Sequence, residues 1–154
     1  MQKKIILLID DDCDDAEFFT AALAGLENNI SMRCADGAEQ ALKLLSDMDP
    51  IPVLILLDAG MPRINGWECL SLIKADVRFK DIPVLMSATS SRPEGIEEAQ
   101  RLGADGYMIK PSRFIDLKYL MKTICSGLGG AWQEMLRELQ LTVPQYFYLF
   151  NQIR

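Results

Sequence analysis

Four side chains with chemical potential follow directly on short apolar runs. Asp10 and Asp11 come after Ile5–Ile9, Asp58 after Val53–Leu57, and Lys110 after Tyr107-Met108-Ile109. If these runs are strands of one parallel sheet, their carboxyl ends share a rim, and ligands of open parallel sheets sit beyond that rim. Strand order alone then gathers three acids and a lysine. Two carboxylates ~5 Å apart repel by about 3 kcal/mol at an effective dielectric of about 20. A cluster of three therefore raises a pKa or recruits a cation. Carboxylates, a carbonyl and waters form an all-oxygen set that suits Mg2+. An aspartate nucleophile, a hard cation and a lysine together make phosphoryl-transfer chemistry: the carboxylate attacks, and cation and lysine hold the phosphoryl oxygens. Asp12, Asp14 and Asp15 read differently, as helix N-terminal acids favoured by the helix dipole.

Composition removes several other chemistries. The chain has no histidine, which excludes imidazole general-base catalysis, Ser-His-Asp and Cys-His nucleophiles and histidine-containing zinc sites. Sixteen Lys and Arg against 22 Asp and Glu leave a net charge of −6. No nucleic-acid partner is expected, because such binding needs positive charge to displace counterions from phosphates. No apolar run exceeds five residues, whereas a membrane span needs ~20. No small-residue cleavage site follows the first run. A cytoplasmic chain with no membrane partner is the expectation. Cys13, Cys34, Cys69 and Cys125 form no C-x-x-C pair and read as reduced packing thiols.

The elements that must position the rim follow from periodicity. Ile5–Ile9 and Val53–Leu57 are apolar throughout, as in strands buried on both faces. Ile30, Met32 and Cys34 alternate with Ser31, Arg33 and Ala35, as in a half-exposed strand. Pro83 opens a strand over Val84–Ser87, and Tyr107-Met108-Ile109 is a fifth. Phe19, Ala22, Leu23 and Leu26 fall on one helical face, capped by Asp14 or Asp15 and ended by Gly25 and Asn28-Asn29. Ala38, Ala41, Leu42 and Leu45 mark a second helix, and Leu70, Ile73 and Val77 a third. Ile96 and Ala99 mark a fourth, ended by Gly103, and Leu117, Leu120, Met121 and Ile124 a fifth. Five strand–helix units in alternation predict an α/β fold: a doubly wound, five-stranded parallel sheet with helices on both faces. Residues 3–125 hold these units as one domain. Residues 126–154 are an extension: a Ser126–Gly130 breaker, an amphipathic helix over Ala131–Leu139, then Pro144–Ile153 with Tyr146, Phe147, Tyr148 and Phe150. Such an extension either packs as a helical tail on its own domain or offers clustered aromatics to a partner.

The motifs Ile6-Leu7-Leu8-Ile9-Asp10-Asp11, Leu56-Leu57-Asp58-Ala59-Gly60-Met61-Pro62, Asn65-Gly66, Ile82-Pro83-Val84 and Gly106-Tyr107-Met108-Ile109-Lys110-Pro111 occur in that order. Together they resemble the receiver domain of two-component response regulators, over about residues 3–125. The resemblance implies a flavodoxin-like (βα)5 sheet of strand order 2-1-3-4-5. It implies that Asp58 accepts a phosphoryl group from a sensor histidine kinase or phosphotransfer protein. Asp11, Asp58 and the Gly60 carbonyl would ligate Mg2+, with Asp10 orienting it through water. Lys110 would pair with Asp58 and later with the phosphoryl group, and the Lys110–Pro111 bond would be cis. The family also carries a Ser or Thr switch at the end of the fourth strand. Here that position is Ala88, flanked by Ser87 and Thr89, which alternation turns to the opposite face unless the strand end is bulged. Tyr107 matches the aromatic partner of that switch, or is a half-buried strand tyrosine. Gly60 and Ser90 occupy the small-residue positions that influence acyl-phosphate hydrolysis, and neither offers an acid or amide.

The expectation is a stand-alone, non-enzymatic receiver that signals to a downstream protein target by changed contacts around the fourth helix, fifth strand and fifth helix. That face, or the C-terminal extension, is a candidate homodimer surface. Ala88 favours an alternative, a pseudo-receiver that works without phosphorylation. A Mg2+-dependent phosphatase would need a second acid two residues after Asp58, where Gly60 stands.

Overall fold

The computed structural model describes residues 3–26, 29–90 and 92–150. The elements run β1 (Lys4–Ile9), α1 (Cys13–Leu23), β2 (Ile30–Ala35), α2 (Ala38–Asp47), β3 (Leu54–Asp58), α3 (Gly66–Ala75), β4 (Val84–Ala88), α4 (Pro93–Arg101), β5 (Gly106–Ile109), α5 (Phe114–Gly127), α6 (Trp132–Thr142) and β6 (Phe147–Leu149). One sheet contains all six strands in the order β2-β1-β3-β4-β5-β6. The first five are parallel, in the implied order. Chain direction across the sheet reverses at β1 and β3, which opens a crevice above their carboxyl ends.

Helices cover both faces, and this explains the unbroken apolar runs. All five residues of β3 and the last four of β1 are buried. On one face Leu7, Ile9, Ile55 and Leu57 pack against α2, α3 and α4 through Leu45, Leu70 and Ala99. On the other, Ile6, Leu8, Leu54 and Leu56 pack against α1, α5 and α6 through Phe19, Leu120 and Leu136. No helix among the described residues is long and apolar enough to cross a membrane.

Two local expectations need correction. The α1 cap is Asp12, whose side chain accepts the Asp14 and Asp15 backbone N–H groups at 2.9 and 3.2 Å; the first of the clustered acids has the extended backbone a cap requires. Helix α3 stops at Ala75, so Val77 lies beyond it and is exposed. Asn28 and Ile153 lie outside the described residues.

The larger correction concerns the extension. The sheet has six strands rather than five, and the aromatic stretch supplies the sixth. β6 runs antiparallel to β5, with Tyr107 opposite Tyr148 and Met108 opposite Phe147. The Ile109 N–H donates to the Tyr146 carbonyl at 2.8 Å, and the Leu149 N–H to Gln140 Oε1 of α6 at 2.7 Å. The physical reason is the otherwise open edge of β5, whose unpaired backbone groups these bonds satisfy. Phe147 and Phe150 are buried, not presented to solvent. Gly106 admits the new strand: a Cβ there would meet the Phe147 ring at 2.8 Å.

Because Phe147 is fully buried between β5 and α6, Phe147→Ala is expected to cost about 3–5 kcal/mol. Urea unfolding of the variant reads that loss; an unchanged midpoint would mean that β6 contributes nothing to the fold.

Candidate functional site

The carboxyl ends of β1, β3 and β5 bring the predicted rim residues together. Asp10 and Asp58 are buried and Asp11 is exposed. One carboxylate oxygen from each of the three lies within 4.8 Å of the others. The Lys110 ammonium meets Asp58 Oδ1 at 3.1 Å, Asp10 Oδ2 at 2.9 Å and Asp15 Oδ2 at 2.7 Å. Asp10 and Asp15 each accept one of its N–H groups, and Asp58 stands beside it as an ion pair.

Local structure explains the convergence. The parallel register pairs Ile9 with Leu57, Asp58 with Ser87 and Ala88 with Ile109, so the strand ends finish level. The Asp12 N–H donates to Asp10 Oδ1 at 3.0 Å, which holds the Asp10 carboxylate as the chain turns into α1. Helix α3 starts against the end of β3. Asn65 caps it by accepting the Glu68 N–H at 2.9 Å, and the Gly66 N–H donates to the Ala59 carbonyl at 3.0 Å. Gly66 has no room for a side chain: a Cβ would press on the Asp58 carbonyl oxygen and come within 2.6 Å of Ala59 Cα.

The electrostatics match the geometry. Burial raises the pKa of Asp10 and Asp58, and the attraction of Lys110 offsets this only in part. The Gly60 backbone N–H, hydrogen-bonded to Asp58, also favours the charged form there. Burial alone would lower the Lys110 pKa, but Asp15, Asp10 and Asp58 outweigh it and hold the ammonium above the ordinary lysine value. These oxygens form a hard, anionic donor set that fits a divalent cation of the Mg2+ type.

A cleft of about 700 Å³ opens over the cluster, walled by Trp67, Thr89, Ser90 and Tyr107 as well as by Asp11, Asp15, Asp58 and Lys110. Ala88 lines it with Tyr107. Ser87 does not belong to the wall. Leu85 lies in the α1–α5–α6 core and Met86 in the opposite one, so alternation turns Ser87 away from Ala88 and Tyr107. Its Oγ is buried without a hydrogen-bond partner. Thr89 lies past the end of β4, where strand alternation no longer governs it, and it borders the cleft. The Lys110–Pro111 bond is trans rather than cis; among the described residues the cis bond is Asp49–Pro50. Trans is the more stable isomer of an X–Pro bond, and Lys110 makes all three acid contacts with it.

Two participants were not singled out from sequence. Asp15 reads there as a helix-dipole acid, yet it sits three residues past the Asp12 cap and faces back over the rim. Trp67 donates its indole N–H to the Gly95 carbonyl at 3.0 Å, tying the start of α3 to the first turn of α4 beside the cleft. Tryptophan one residue after the Asn65-Gly66 turn is the signal that could have marked it.

The model of the response regulator receiver domain matches residues 6–122. This chain belongs to that family. A rice relative (Oryza sativa subsp. indica), named two-component response regulator ORR11, is 29% identical over 113 residues, covering 72% of this chain and 76% of the relative. Among solved structures, the phosphorylated cyanobacterial phytochrome response regulator RcpA is similar with a TM-score of 0.77 at 27% identity, covering 84% of this chain and 96% of that one. The Mn2+-bound form of response regulator Rcp1 is similar with a TM-score of 0.71 at 27% identity, covering 80% and 93%. In this receiver domain the match ends at residue 122, and α6 and β6 follow it.

Four carboxylates around one ammonium make the cation-free site a load on the fold. Asp10 and Asp58 have folded-state pKa values above their unfolded ones. Above the ordinary Asp range the folded protein therefore binds more protons, and stability falls as pH rises through that window. With a chelator present, Asp58→Asn is expected to melt a few degrees higher than wild type at neutral pH. The variant should also show a flatter pH dependence above the ordinary Asp range, from about pH 4 upward. A lower melting temperature would mean that the Asp58–Lys110 attraction outweighs the crowding.

Proposed function

We propose that this receiver domain takes a phosphoryl group on Asp58 from a sensor histidine kinase or phosphotransfer protein and signals by changed protein contacts. The observation that carries this reading is Asp58 itself: a buried nucleophile at the end of β3, 3.1 Å from Lys110 and clustered with Asp10 and Asp11. An Asp58 oxygen forms the new bond to phosphorus. The phosphorus–nitrogen bond of the donor phosphohistidine breaks, and its electron pair leaves on the imidazole. Lys110 donates hydrogen bonds to the incoming phosphoryl oxygens, and the cleft over Asp58 has the room to admit them. Asp11, Asp58 and the Gly60 carbonyl would hold Mg2+, with Asp10 orienting it, and the ion would supply positive charge opposite the phosphoryl oxygens. The relatives support both halves of the reading, since RcpA is described as phosphorylated and Rcp1 as Mn2+-bound.

Output passes from Asp58 through Tyr107 and Thr89 to the face of α4, β5 and α5, and from there to a downstream protein target in the cytoplasm. Residues 3–125 form the receiver body. Within that face β6 lies along β5, and a homodimer would form through the extension or the α4–α5 face. The protein is a phosphoacceptor rather than a turnover enzyme. Ala88 favours a second reading, a phosphorylation-independent pseudo-receiver, because a methyl group lines the cleft where the family carries a hydroxyl.

Intact-mass measurement after incubation with acetyl phosphate and Mg2+ separates the two readings. The receiver gains one labile phosphoryl adduct, which Asp58→Asn lacks. An unmodified wild type under those conditions would leave the pseudo-receiver.

A further inference from the structure

Asp15 is the nearest of the three acceptors around Lys110, at 2.7 Å. It stands apart from the other two. Asp10 and Asp58 share the cation cluster with Asp11, and Asp15 does not belong to it. The Asp10 and Asp58 side chains are almost wholly buried, whereas the Asp15 side chain is 34% exposed and borders the cleft beside Asp58. Asp14 next to it is also a first-turn acid of α1, but it is exposed and no hydrogen bond or ion pair joins its side chain to Lys110.

This division has a consequence for any charge that enters the site. Each Lys110 N–H given to Asp10 or Asp58 occupies an oxygen that a cation or phosphoryl group needs. A lysine held by those two acids alone would compete with both. Asp15 offers an anchor on the outer wall, at a distance typical of a charge-assisted bond. Held there, the ammonium stays at the rim while it releases the inner carboxylates.

We propose that Asp15 is a positioning residue for Lys110, anchoring the ammonium from outside the cation cluster so that Asp10 and Asp58 are free for the divalent ion and Lys110 is free for the phosphoryl oxygens. The proposal rests on the reading of Asp58 as phosphoacceptor. It assigns a second task to an acid whose position in α1 already favours the helix dipole.

The test compares full-length wild type, Asp15→Asn and Asp14→Asn, the last removing an equal charge one residue away without touching Lys110. Mg2+ binding by calorimetry comes first. Asp15→Asn is expected to weaken it about tenfold, the lower end of what outer partners of metal ligands carry. Asp14→Asn should leave it within about twofold of wild type, since an exposed charge is largely screened. Phosphorylation by acetyl phosphate at saturating Mg2+ comes second. Anchoring predicts that Asp15→Asn is slower than wild type by several-fold, because the freed ammonium settles on Asp10 and Asp58. A purely repulsive role for Asp15 predicts the opposite sign, because removing an anion speeds attack on an anionic donor. Equal Mg2+ affinities for the two variants, or a faster Asp15→Asn, would overturn the proposal. Thermal melts in chelator, matched between the variants, keep a folding defect from imitating the effect. A wild type that binds Mg2+ but takes up no phosphoryl group would sink the function reading alone, and the Mg2+ comparison would still decide the role of Asp15.

Discussion

One ammonium facing several carboxylates is the interaction on which this structure turns. Asp10, Asp15 and Asp58 all approach Lys110 within 3.1 Å, and Asp11 adds a fourth negative charge nearby. Left in water, such groups would separate. They stay together because each is fixed to a rigid element before any side-chain freedom remains. Asp58 ends a strand with every residue buried, Asp10 is held by the Asp12 N–H, and Lys110 follows β5 directly. The hydrophobic layers on both sides of the sheet supply the stability that the charge cluster opposes. Function and fold therefore pull against each other at the rim, a common arrangement where a site awaits an incoming charge.

Much of this was legible in the residues. Ile5–Ile9 and Val53–Leu57 announce strands with both faces covered, and that pattern alone puts Asp10, Asp11 and Asp58 at one rim. The helical stripes through Phe19, Leu45, Leu70 and Leu120 name the faces that close over the sheet. Other features were hidden for identifiable reasons. Asp12, Asp14 and Asp15 are chemically equivalent as caps, so residue type could not choose among them; only the backbone at Asp12 does. The contact between Asp15 and Lys110 joins residues 95 positions apart, and no local period reports it. β6 is three residues long, too short for alternation to register within a run of aromatic residues. Alternation read from the sequence does place Ser87 on the far side, but it misplaces Thr89, because β4 ends at Ala88, a boundary that propensity leaves open.

Strand β5 links the site to β6. Tyr107 contributes both to the cleft wall and to the pairing with Tyr148. The same β5 strand thus faces Asp58 at one end of its influence and the C-terminal strand at the other. Trp67 links α3 to α4 through Gly95, and both its ring and the Tyr107 hydroxyl lie against that glycine. A rearrangement of the start of α4 would therefore disturb both aromatic residues, because interiors packed at crystal density do not deform smoothly.

The strand Phe147–Leu149 carries one more implication. Its hydrogen bonds occupy the outer side of β5, so a second polypeptide cannot extend the sheet there by strand addition. Intermolecular growth of this sheet would have to begin at β2 or on a ribbon of three residues. The chain has in effect closed one of the two seams of its parallel sheet with a strand of its own.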